Sequence, residues 1–220
     1  MRFPMRLPTA LLIVTIATLP GCGALSALQG EPERDLFELR APVALSCPRS
    51  RIGELVIEPP KTRGTLDSNR IMIRPSALQT QYLPDAEWGD TVPATLQRLL
   101  VETLSATGSF DQVGRAPLGL SGDVAMISEI RDFNVELSAD GTLIRLSVQA
   151  QLVDEMDARI IARGDFAATA PASGTRTAEL IPAFDAATRE LVGQMTAWTL
   201  TAAGVNPDMC RQTRSAPVPD

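Results

Sequence analysis

Histidine is absent from this 220-residue chain. That removes His-based catalytic triads, His-ligated metal centres and the side chain that ordinarily titrates near neutral pH. Lysine is nearly absent as well: Lys61 is the only one among 20 basic residues. A serine–lysine hydrolase would need Lys61 as its base, yet no Ser-x-x-Lys and no Gly-x-Ser-x-Gly occurs. Aromatic residues make up 4% of the chain, too few for a sugar-stacking groove around paired carboxylates. No glycine-rich phosphate loop precedes a helix, which excludes a nucleotide site of that kind. The formal net charge is −6, so the basic footprint of a nucleic-acid binder is missing. What is present is 45% hydrophobic residues with a mean hydropathy of +0.06, enough for one core of ordinary size. The composition predicts a non-enzymatic domain with no cofactor and no metal.

The N-terminus supplies an address. Arg2 and Arg6 precede the apolar run Ala10–Leu19, which ends at Pro20-Gly21-Cys22. Ten helical residues span about 15 Å, roughly half a hydrocarbon core, which is right for a secretory signal and too short for a span. Leu19-Pro20-Gly21-Cys22 resembles a bacterial lipobox, in which the cysteine is acylated and becomes residue one of the mature protein. Residues 1–21 are then a lipoprotein signal peptide, and Cys22 is the lipidation site, carrying palmitate-type acyl chains. An ordinary signal peptide cut elsewhere, with Cys22 incidental, is the alternative. Removal of Arg2 and Arg6 takes the charge to −8. Gly23, rather than Asp, follows the cysteine; in the sorting pattern this resembles, that favours the outer membrane, with the domain facing the periplasm.

Lipidation of Cys22 leaves Cys47 and Cys210, an even pair in an oxidising compartment, where a disulfide is expected. Two free thiols or a metal pair are the alternatives, the latter poor without histidine or Cys-x-x-Cys spacing.

Residues 22–36 read as the lipidated N-terminus and tether, 37–204 as the folded domain, and 205–220 as a proline-containing tail without period. Within the domain, Leu55–Ile57 and Arg70–Arg74 read as strands stopped by prolines, and Ser109–Val113 as another. Ile144, Leu146, Val148, Ala150 and Leu152 alternate with polar residues, giving a strand with one wet face. Asp140-Gly141 before it signals a hairpin. The preceding strand, from Val124 to Leu137, changes apolar parity between Ile130 and Phe133, which predicts a bulge near Arg131-Asp132. A strand from Arg159 to about Ala170 completes an antiparallel meander. Leu96, Leu99, Leu100 and Leu104 repeat at helical spacing after a cap at Asp90, with Gly108 as the stop. Phe184, Ala187, Leu191, Met195 and Trp198 mark a second, long helix. The expected fold is α/β: a single three-layer domain, a mixed sheet of about six strands with a C-terminal antiparallel meander, packed by two main helices.

The order of several segments resembles the auxiliary lipoproteins of ABC-type transport systems, the paraquat-inducible protein C-like family. The matching pieces include Phe37-Glu38-Leu39, Leu55-Val56-Ile57-Glu58-Pro59, Leu66–Ile71, Tyr82–Trp88, Leu104 through Gly108-Ser109-Phe110, Glu129–Phe133, Leu152-Val153 and Trp198. The resemblance implies an outer-membrane lipoprotein that docks a periplasmic mammalian-cell-entry (MCE) protein and, through it, an ABC permease and ATPase moving phospholipid. It is also compatible with a ring of identical subunits. A periplasm-facing lipid-binding shuttle or chaperone, or a structural envelope lipoprotein, are the alternatives.

Tyr82 and Trp88, placed in a loop between strand and helix, are the candidate partner contacts, though such bulky groups more often lid a core. Trp198, on an apolar stripe, is expected in the core. Asp67 and Arg70 are expected to hold a turn, and the acidic Asp154-Glu155-Met156-Asp157 to form a solvated hairpin tip.

Overall fold

Strict two-residue periodicity in two long strands sets the architecture. The computed structural model describes residues 34–115, 123–139 and 141–213; the signal segment and Cys22 lie outside the described residues. The first elements are strands β1 (Asp35–Phe37), β2 (Leu45–Ser46), β3 (Glu54–Ile57), β4 (Lys61–Thr62), β5 (Arg70–Ser76) and β6 (Gln79–Trp88), then helix α1 (Val92–Ala106). Strands β7 (Gln112–Arg115), β8 (Val124–Ser138), β9 (Gly141–Asp154) and β10 (Ile160–Ala172) precede helix α2 (Thr177–Ala202). A 3-10 turn at Pro207–Met209 and strand β11 (Arg211–Gln212) follow.

Strands β8, β9 and β10 form the expected antiparallel meander, from Val124↔Asp154 to Ser138↔Gly141 on one side and Ile160↔Val153 to Ala172↔Thr142 on the other. The β8 register shifts between Ile130 and Asp132, where the parity change placed the bulge. Along the other edge of β8 three parallel strands pair in succession: β3 with Val124–Met126, β4 with Glu129–Ile130 and β5 with Asn134–Glu136. Outward from these, β7 lies parallel to β3, β6 antiparallel to β5, and β1 parallel to β6. The mixed sheet therefore has nine strands rather than about six. β1 and β4 are too short to leave a periodic signal. β6 is long but irregular: Arg70 pairs with Glu87 while Met72 pairs with Tyr82, so Leu83–Ala86 bulge opposite Ile71. Pro84 sits in that bulge, where its missing N–H costs no ladder bond.

Helix α1 begins one residue later than expected. Thr91 is the cap, its hydroxyl accepting from the Ala94 N–H at 3.4 Å, while Asp90 accepts from the Thr91 N–H at 2.8 Å. Gly108, at φ +65°, ends the turn after the helix in a conformation open to glycine. Helix α2 buries Leu180, Phe184, Ala187, Leu191 and Met195 completely.

Both helices lie on one face of the sheet and touch each other, so the domain is two layers deep, not three. The reason is the alternation in β9: Ile144, Leu146, Val148, Ala150 and Leu152 are buried under helix, and the intervening residues reach water. The wet face is laced with ion pairs, Arg74–Asp132 at 2.9 Å, Arg145–Glu136 at 2.7 Å and Arg131–Asp165 at 3.2 Å. A second helical layer there would have to desolvate them.

Candidate functional site

The two aromatic residues offered as partner contacts have different fates. Trp88 is 2% exposed, and the reading as a contact residue is corrected: it is a core residue. At the end of β6 it follows the buried Ala86 by two residues, so strand parity aims its ring inward. There it meets Phe184 edge-on at 5.1 Å and Phe133 edge-on at 6.2 Å, while Phe133 and Phe184 stack at 5.6 Å. Tyr82 lies on the wet face, half-buried. Its ring is capped by the Arg70 guanidinium at 4.9 Å, and its hydroxyl donates to the Thr65 carbonyl at 3.0 Å. The turn before β5 is held by Ser68, whose hydroxyl accepts from the Arg70 N–H at 2.9 Å, rather than by Asp67. Trp198 packs edge-on against Phe166 at 5.3 Å.

Cys47 and Cys210 are joined in a disulfide, with their Cα atoms 4.2 Å apart. Around it β2 pairs antiparallel with β11, the Cys47 N–H donates to the Thr107 carbonyl, and the Thr213 hydroxyl donates to the Ala44 carbonyl. The first part of the proline-containing tail is thereby stitched to the segment before β3. A second tie has no signature in the sequence. The Asp185 carboxylate, 8% exposed, accepts from the Arg40 guanidinium at 2.8 Å and the Arg40 N–H at 3.2 Å, and pairs with Arg189 at 3.0 Å. Burial pushes this carboxyl up, but the hydrogen bonds from Arg40 and the charges of Arg189 and Arg40 outweigh it and hold it below the usual aspartate range. Only the Asp185/Arg189 spacing of four was visible in sequence; Arg40 lies 145 residues away.

Two open grooves flank Lys61. One, about 690 Å³, runs from Pro59-Pro60 past Asp67 to the first two turns of α1, where the buried Gln97 amide donates to the Ile57 carbonyl at 2.7 Å. The other, about 440 Å³, lies on the wet face between Pro59, Ala125, Ile127 and Val153. The acidic tip between β9 and β10 is tied internally, Arg159 reaching Asp154 and Asp157 at 3.4 Å each, with Met156 almost fully exposed. Leu78 is fully exposed in the β5–β6 turn, and Leu36, Val43 and Met209 are also more than half exposed. Among the described residues no group of three acidic or cysteine side chains is placed to hold a metal, and no helix is long and apolar enough to cross a membrane.

The domain is a mixed sheet with both helices on one face, its two ends tied by a disulfide and its surface bearing open grooves. The chain belongs to the ABC-type transport auxiliary lipoprotein component family, whose profile matches residues 37–196. It is accordingly an auxiliary component of an ABC-type transport system. A crystal structure of a Xanthomonas campestris protein of the DUF330 family shares the fold, with a TM-score of 0.68, 22% identity, and coverage of 77% of this chain and 97% of that one. A further uncharacterized protein aligns at TM-score 0.59 and 14% identity, covering 76% of this chain and 99% of its own. No curated protein matches the sequence.

Proposed function

We propose that this protein is a non-enzymatic outer-membrane lipoprotein, acylated at Cys22 and facing the periplasm. It would dock the far end of a periplasmic MCE assembly, and so serve an ABC permease and ATPase that move phospholipid between membranes. The observation that carries the reading is the family match over residues 37–196, which spans nearly the whole described domain. The lipobox-like Leu19–Cys22, upstream of the matched residues, supports an acylated anchor. Docking is favoured over an enclosed acyl carrier because the space between sheet and helices is filled by Trp88, Phe133 and Phe184 in mutual ring contact. The test is crosslinking in cells followed by purification of the acylated protein. An MCE-domain protein is expected in the eluate, and deletion of the gene should sensitise the cells to detergent. Absence of that partner together with unchanged detergent sensitivity would overturn the proposal.

A further inference from the structure

We propose that the groove of about 440 Å³ on the wet face, between Pro59 and strands β8 and β9, receives a cationic, partly aliphatic segment of the partner polypeptide. The inference rests on the docking reading above and deepens it, naming the surface and the chemistry of what lies on it.

Strand parity supplies the floor. In β8 the side chains of Val124, Met126, Ser128 and Ile130 turn to the helices, so Ala125 and Ile127 turn to the wet face. Val153 pairs with Ala125 on one side and Ile160 on the other, which gathers four apolar side chains on that face. Ile127 and Ile160 are 40% and 39% exposed. Further along the same face ion pairs lace the surface, whereas here aliphatic carbon meets water in a groove as large as a ligand cleft. Ala158, from the β9–β10 turn, completes the wall. At φ +56° it is the one non-glycine residue among those described with a left-handed backbone, so a methyl group is kept where glycine would relieve the strain.

Charge selects the occupant. Glu58, Asp154 and Glu155 line the groove against a single cation, Lys61. Asp154 is engaged by Arg159 at 3.4 Å, but Glu58, Glu155 and Lys61 make no ion pair among the described residues. Widening the count to the exposed Glu129 and Asp157, and to Arg159 and Arg163, keeps the same excess of two carboxylates. An arginine or lysine beside an aliphatic residue satisfies both halves of the site. Its stem lies along Ile127 and Val153, and its charge meets Glu58 and Glu155. A membrane surface bearing anionic lipid is repelled by the same carboxylates.

The experiment puts the photoreactive residue benzoylphenylalanine in place of Ile127 or Ile160 of the acylated full-length protein, in cells that produce the MCE-domain protein. Ala167 and Thr169, exposed further along the wet face, are the control positions. Purified MCE-domain protein is also titrated onto the parent, onto Glu58→Arg combined with Glu155→Arg, and onto Glu190→Arg on α2. Crosslinks to the MCE-domain protein are expected from 127 and 160 and not from 167 and 169. The paired reversal should weaken binding about tenfold with thermal unfolding unchanged, while Glu190→Arg binds like the parent. Binding without crosslinks from 127 and 160, or binding that the folded, charge-reversed variant retains, overturns this surface and leaves docking standing. Crosslinks from 127 and 160 that reach only a second copy of this chain, or only lipid, overturn it as well. No crosslink from any of the four positions, together with no measurable binding, overturns this proposal and the docking reading together.

Discussion

At the residue scale, the clearest energetic commitment is the carboxylate of Asp185. It is nearly buried, yet it is held ionised by two guanidiniums and a backbone N–H. Its pKa in the folded protein lies below its value in the unfolded chain, near 3.9. The unfolded state therefore takes up the proton first as pH falls. The stability this group contributes is complete above about pH 5 and is lost as pH drops through the folded value. Asp185→Asn is expected to cost about 1–2 kcal/mol at pH 7, a modest figure because both arginines reach solvent. Urea unfolding should also show a shallower loss of stability below about pH 5 than in the parent. Identical acid profiles for the two proteins would contradict this account.

Trp88 shows what residue-level reading misses. Its identity is plain in the sequence and its direction is not, because direction follows from strand parity and the irregular β6 leaves no strand signal. Once Gln79–Trp88 is a strand, Ala86 and Trp88 point inward and Glu87 outward without further information. Leu78 was not singled out because a lone apolar residue carries no period.

At the element scale, the elements that were legible are those in which one pattern persists long enough to outvote local exceptions. β9 alternates for nine residues, α2 carries its stripe from Phe184 to Trp198, about four turns, and the parity change in β8 marks its bulge. β6 was illegible because three exposed polar residues open it and a proline-containing bulge breaks it. The cap of α1 fell on Thr91 instead of Asp90 because both side chains bond at that terminus. The layering was misjudged for another reason: one sequence reveals that a strand has a wet face, but not that both helices choose the other.

The β10–α2 contact gives this scale its prediction. A Cβ on Gly164 would lie 2.5 Å from the Phe166 ring and 3.3 Å from that of Trp198, and Phe166 is wedged against Trp198. Gly164→Ala is expected to destabilise by about 1–2 kcal/mol, since overpacking outweighs the backbone entropy gained on replacing glycine. In a Phe166→Ala background the same substitution should be neutral or stabilising, as a thermal-unfolding double-mutant cycle would reveal. Equal penalties in both backgrounds would mean the ring contact is not the cause.

At the scale of the whole molecule, the disulfide makes residues 47–210 a covalent ring. Reduction, or Cys47→Ser with Cys210→Ser, is expected to lower stability by about 2–4 kcal/mol by denaturant titration. The fold should otherwise survive, because among the described residues neither cysteine is one of the buried core residues; both pack half-buried against the edge of that core. Loss of native structure on reduction would show the core to be weaker than its burial implies. The proposed anchor at Cys22 belongs to this scale as well, and it stands on the lipobox-like Leu19–Cys22 alone, which lies outside the described residues.

The closed ring also determines how tension travels. A pull on the N-terminal segment first meets the β1–β6 pairing and the clip between Arg40 and Asp185. If both yield, the chain can be drawn out only as far as Cys47. From there the force divides, passing through the sulfur bridge to the segment after α2 as well as along the backbone into β3, so a domain pulled from its N-terminal side is gripped at two points and resists unravelling.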